Sequence, residues 1–215
     1  HAITSASKSS TRAGVSPGVG PTAGGTTVTV TGSNFATGVT VTFGGAGAGS
    51  VTLQSSSQLT CVTPAGGMGP AAVVVTNVDL QTATLPTGFT FQGPAPTLTS
   101  VLPGGGPMAG GTLVTLAGTN FATGATVTFG GALATSVNVV TGIQITCNTP
   151  GGALGPATVV VTNVDFQVAT LGSGYNFVGP TPTVTSVNPN TGALGGGTFV
   201  TVAGTNFATG ATVTF

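Results

Sequence analysis

Apolar and polar residues alternate along this chain with a period of two. Val28 and Val30 stand between Thr27, Thr29 and Thr31, and Val39, Val41 and Phe43 stand between Thr40 and Thr42. The alternation resumes at Leu59 and Cys61, at Val73 and Val75, and at Phe89 and Phe91. Successive side chains of a strand point to opposite faces, so each run predicts a strand of about five residues with one buried face. Gly, Pro, Asn and Ser punctuate the runs, and nothing carries the spacing of a helix. Several short strands at even intervals predict an all-β protein built as two-sheet sandwiches.

The pattern repeats. Residues 15–100 align with 101–186 without a gap, at roughly two-thirds identity, and a third copy starts at Val187. Thr26, Thr112 and Thr198, each after a Gly-Gly pair, recur at 86-residue steps, and so does the run that starts at Asn34, Asn120 and Asn206. A period this long makes each repeat a whole domain. The division is an N-terminal segment or tail of a preceding repeat over 1–8, then repeats over 9–94 and 95–180, and a partial repeat over 181–215. Phe35, Phe43, Phe89 and Phe91 anchor the first core, and Phe121, Phe129, Tyr175 and Phe177 the second. The linkers at Gly93-Pro94 and Gly179-Pro180 are short and stiffened by proline, which predicts an end-to-end array shaped as a semi-rigid rod.

Composition narrows the partners. Gly and Pro number 38 and 14, a hint of disorder, but the chain is 40% apolar with 2% charged residues, and disorder goes with the opposite balance. Lys8 and Arg12 cannot supply the basic footprint that nucleic acid requires, so no nucleic-acid partner is expected. The same lack of charge argues against an anionic membrane surface. No apolar run approaches the roughly 18 residues of a membrane span, so no direct membrane insertion is expected. The chain opens at His1 with no signal-peptide pattern, as a processed product or a fragment would. A neutral surface lacks like-charge repulsion and suits either glycosylation or cover by neighbours.

The ordered succession Val101-x-Pro103, Gly110-Gly111-Thr112, Gly118-Thr119-Asn120-Phe121, Val127-Thr128-Phe129-Gly130-Gly131, Ile145-Thr146-Cys147-x-Thr149-Pro150 and Gly155-Pro156 resembles the IPT/TIG domain. The resemblance spans about 95–179 in full, 9–93 with a weaker start, and 181–215 in part. It implies an immunoglobulin-like sandwich of a kind found in cell-surface receptors, bacterial surface proteins, accessory modules of carbohydrate-active enzymes and certain transcription factors. A fold of this kind implies no single function.

The candidate chemistries are few. The lone histidine, His1, gives a serine or cysteine nucleophile no base, so the chain is expected not to be an enzyme. Asp79 and Asp165 occupy one position in successive repeats, too far apart for a carboxylate pair of about 10 Å or less. In Asn77-Val78-Asp79 and Asn163-Val164-Asp165 the Asp is either an Asx-turn cap or one donor of a calcium site, for which one carboxylate per repeat is a thin set. No cofactor is expected. Cys61 and Cys147 are also equivalent positions; alternation puts Cys61 with Leu59, and Cys147 with Ile143 and Ile145, on the inward face. The resemblance implies that this cysteine pairs, in some extracellular relatives, with one after the Gly-Gly turn, but Ala48 and Ala134 stand there. Burial as a free thiol or an interchain disulfide remain. The Gly-Gly pairs precede or follow strands and read as turns, not phosphate loops.

The outward Thr rows fit solvent-facing strand positions, O-glycosylation or ice binding, and no Asn-x-Ser/Thr acceptor occurs. Leu113 and Phe199 replace Thr27 in the later copies and, with Val74 and Val160, form a candidate packing surface. The leading expectation is an extracellular or cell-surface structural element, a stalk, array or filament that self-associates as a homopolymer. The alternative is an adhesin or carbohydrate-binding segment with a glycan or cell-surface ligand, though Trp is absent and Tyr175 aligns with a core Phe. In the third copy the inward set Val200, Val202, Phe207, Ala211, Val213 and Phe215 faces half a core. The expectation is that the native chain continues through the missing strands or that another subunit donates them.

Overall fold

The computed structural model describes residues 13–215. Its strands coincide with the Thr/Val runs, where β-branched side chains pack well on a pleated surface. In the first repeat they are β1 (Gly14–Ser16), β2 (Val19–Pro21), β3 (Thr27–Thr31), β4 (Thr40–Phe43), β5 (Ala46–Gly47), β6 (Gly49–Ser55), β7 (Gln58–Val62), β8 (Gly69–Thr76) and β9 (Thr82–Gln92). The second repeats the order: β10 (Thr97–Leu102), β11 (Gly105–Pro107), β12 (Leu113–Thr119), β13 (Thr126–Phe129), β14 (Ala132–Leu133), β15 (Thr135–Thr141), β16 (Gln144–Asn148), β17 (Gly155–Thr162) and β18 (Val168–Val178). In the third, β19 (Thr183–Asn188) pairs antiparallel with β20 (Thr201–Thr205).

Each complete repeat is a two-sheet sandwich. The first stacks the sheet β1-β3-β7-β6 on β2-β9-β8-β4-β5, and the second stacks β10-β12-β16-β15 on β11-β18-β17-β13-β14. Neighbours are antiparallel except β2 on β9 and β11 on β18. Register follows from which side chains must be inside, since a one-residue slip would turn a whole apolar row outward. Val28 faces Cys61 and Val30 faces Leu59 across β3 and β7; Val114 faces Cys147 and Leu116 faces Ile145 in the copy.

The two cores are separate clusters, each drawn from its own repeat. Burying each large apolar side chain contributes about 1.5–3 kcal/mol. An edge-to-face ring stack sits at the centre of each. Phe89 lies 5.4 Å from Phe43 and 5.0 Å from Phe91; Tyr175 lies 5.3 Å from Phe129 and 5.0 Å from Phe177. Such pairs prefer this geometry because a positive ring edge meets a negative face.

One inward assignment is corrected. Ile143 is 62% exposed, because the hairpin turns at Gly142 and Ile143 and β16 begins only at Gln144. Val74 and Val160 are half-buried in strands paired on both sides, so they offer less surface than the alternation predicts. In the third repeat Val200 and Val202 are half-buried, while Phe207, Ala211, Val213 and Phe215 are exposed.

Candidate functional site

The site is the joint between the first two repeats, and it begins with a hairpin loop. In loop 163–167 the Asn163 amide donates to Gln167 O at 2.9 Å and the Phe166 amide to Asn163 O at 3.0 Å. This three-residue reversal places Phe166 at φ +66°, a conformation that strand hairpins usually give to glycine. The Asn163 side chain ties the loop to its own repeat, donating from Nδ2 to Asn120 O at 2.8 Å and accepting the Ala122 amide at Oδ1 at 3.0 Å. Those bonds hold Asn120 in its left-handed turn, φ +56°, so the Asn of the Asn-Val-Asp motif braces one loop against another.

Asp165 then reaches across the repeat boundary. Its Oδ2 accepts the Gly93 amide at 2.9 Å and the Gln167 Nε2–H at 2.8 Å; the same Nε2 donates to Gly93 O at 2.7 Å. Both backbone groups of the linker glycine are therefore satisfied by side chains of the following repeat. Oδ1 accepts the Gln167 amide at 3.3 Å, closing an Asx turn. Asp165 is 0% exposed. Burial raises its pKa, but the bonds from the Gln167 side chain and from the Gly93 and Gln167 amides outweigh that and hold the carboxyl below its ordinary value.

Apolar contact completes the joint. A β-carbon added to Gly69, at the start of β8, would lie 3.5 Å from Val164 O and 3.6 Å from its Cγ2, and Gly69 is buried. Met68 packs on Gly93, where a β-carbon would collide with its Cε. Gly69 is glycine because its φ of +113° excludes most other residues, and Gly93 because Met68 of its own repeat fills the space a side chain would need.

The other predicted residues fall as follows. Cys61 and Cys147 are free thiols in the two cores, and burial pushes each up to about 11. A thiol held that high is a poor nucleophile at neutral pH. Asp79 accepts the Gln81 amide at 3.2 Å, the same Asx turn, on an exposed loop. Asp79 and Asp165 are thus not brought together, and no group of three or more His, Cys, Asp or Glu side chains forms among the described residues. Both carboxylate oxygens of Asp165 accept amide donors in the joint, the Asx-turn role among them. Leu113 and Phe199 are exposed. His1, Lys8 and Arg12 lie outside the described residues. Sequence marks Gly93 only as part of a linker and does not mark Gln167, for which the available signal is the recurrence of Gln two residues after each Asp.

Among the described residues no helix is long and apolar enough to cross a membrane. Human fibrocystin-L is 31% identical over 202 residues, which are 90% of this chain and 5% of that protein. Human plexin-B3 is 30% identical over 204 residues, 89% of this chain and 10% of its own length. The chain thus spans a tenth or less of these curated relatives. Among solved structures, the full extracellular region of plexin A4 aligns at 25% identity and TM-score 0.40, covering 81% of this chain and 16% of its own. A protein crystallised with xylogluco-oligosaccharide aligns at 20% identity and TM-score 0.49, covering 90% of this chain and 46% of its own. The IPT/TIG domain model matches residues 13–92, 96–178 and 182–215. Matched in three successive copies over most of its length, the chain belongs to the IPT/TIG domain family.

Proposed function

We propose that this chain is a structural element of an extracellular or cell-surface protein, in which tandem repeats form a stalk, array or filament and no catalysis takes place. The observation that carries this reading is the joint. A linker left to bend freely has no use for a buried carboxylate and a glutamine amide on one of its glycines. Here those groups and Val164 fix the angle at which the second sandwich leaves the first. Near-neutral charge supports close packing with other copies. The competing reading, an adhesin or glycan-binding segment, would be favoured by an exposed Tyr or Trp platform; Tyr175 is instead a core residue.

Small-angle scattering on residues 9–179, whose two cores close independently, tests the proposal. A rod two sandwiches long is expected, and glycan arrays should give no saturable binding. A compact particle would sink the array, and a saturable glycan signal would move the function to adhesion.

A further inference from the structure

The loop that forms the joint exists twice. Loop 77–81 reads Asn-Val-Asp-Leu-Gln where 163–167 reads Asn-Val-Asp-Phe-Gln. It is folded in the same shape: Asn77 N–H donates to Gln81 O at 3.0 Å, Leu80 N–H to Asn77 O at 2.9 Å, and Leu80 holds φ +66°. Asn77 braces it as Asn163 does, with bonds to Asn34 O at 2.8 Å and from the Ala36 amide at 3.0 Å. Among the described residues none of another repeat hydrogen-bonds to it, and Val78 lies against Gly38 of its own repeat. Val78 is 65% and Leu80 81% exposed, and Asp79 Oδ2 has none of the cross-repeat bonds that Asp165 Oδ2 accepts. Leu80 stands in solvent as Phe166 does at 68% exposure in the formed joint, so the uncovered part of the loop is Val78, whose counterpart Val164 is half-buried.

The matching surface is open as well. Leu154, which stands where Met68 does, is 63% exposed. A β-carbon at Gly155, the counterpart of Gly69, would meet nothing within 4 Å. Among the described residues, the loop of the first repeat and the glycine end of the second each lack the counterpart met in the joint formed between the two repeats.

We propose that loop 77–81 is a docking site for the glycine end of another repeat of this kind. It would take the Gly93 position of that repeat through Asp79 and Gln81, and the Gly69 position against Val78. The position 86 residues before Gly93 is Ser7, outside the described residues. This rests on the array reading above and names its partner: the array propagates head to tail through one joint, used at every boundary. The loop needs no rearrangement on docking, because it has the same turn whether seated or open; little ordering cost opposes the contact.

The test adds a copy of residues 9–94 directly ahead of residue 9 of the chain and follows amide hydrogen exchange by NMR. The Gly93 amide of the added copy should be protected like the original Gly93. Asp79→Ala should speed its exchange about 10- to 100-fold, the factor carried by one hydrogen bond to a charged group, and leave the original Gly93 unchanged. Asp165→Ala should do the converse. Asp79 is exposed on a turn, so its replacement leaves the fold intact. Free exchange of the added Gly93, insensitive to Asp79, would overturn the docking site. Scattering on the same sample separates the two ideas: a rod with a freely exchanging added Gly93 refutes docking alone, whereas a compact particle refutes the array.

Discussion

Loops 77–81 and 163–167 differ by one side chain, share one turn and one set of bracing bonds, and yet live in different environments. Asp165 is sealed in a ring of four hydrogen-bond contacts with Gly93 and Gln167, while Asp79 caps its own turn in water. The difference owes nothing to local sequence. It arises because a glycine end is delivered to one loop by the chain that precedes it. What this teaches is that the Asn-Val-Asp motif carries two separable jobs. Asn holds the loop to its own sandwich in both repeats, and Asp acts on whichever repeat is seated below.

That separation can be broken at each residue. Asn163→Ala removes the two hydrogen bonds of a side chain that is 2% exposed and leaves the Ala122 amide and the Asn120 carbonyl without them, a loss of about 2–4 kcal/mol. Asn77→Ala removes the same two bonds where water can replace them, and about half that loss is expected. Urea unfolding of the two variants measures the gap; equal losses would mean that the joint adds no burial to the brace.

Asp165→Ala leaves the Gly93 amide without its partner and should lower the stability of the joined pair by about 1.5–3 kcal/mol. Asp79→Ala, on the open loop, should stay within about 0.5 kcal/mol. A comparable loss at both positions would erase the contrast between the loops.

Acid should act on the joint in one direction only. The Asp165 carboxyl is held below its ordinary value in the folded chain, so its contribution is complete above the unfolded value of about 3.9. It is lost as pH falls from there through the lowered folded value. Chemical unfolding at pH 6 and near pH 2.5 should therefore show a loss that Asp165→Ala abolishes. A gain in stability on acidification would reverse the sign and refute the hydrogen-bonded carboxylate.

The smallest effect lies in the cores. Tyr175 replaces Phe89 in the ring stack, and its buried hydroxyl has no hydrogen-bond partner. Tyr175→Phe should be neutral or stabilising by up to about 1 kcal/mol in thermal unfolding, since the hydroxyl forfeits its hydration without return. A clear destabilisation would reveal a partner for that oxygen.

Much of this was legible in the residues. The inward faces of Val28, Cys61 and Cys147 follow from alternation, and all three lie in the cores where alternation puts them; which strand pairs with which does not follow from it. Ile143 departs from the alternation because it lies in the two-residue turn ahead of the strand, where side chains no longer alternate between faces. In sequence Asp165 reads as an Asx-turn cap or a calcium donor but not as part of a joint, since its second carboxylate oxygen acts on a residue 72 positions away.

By itself the sequence determined the repeat unit, the strands and their inward faces, because strand periodicity and turn chemistry are local and leave a period in the residue order. Only the tertiary structure decided what Asp79 and Asp165 do. Their neighbours along the chain differ only in Leu80 against Phe166, and burial and hydrogen bonding are set by which surface arrives from outside the loop. Contacts between repeats depend on how one sandwich is seated on the next, and that has no period to read.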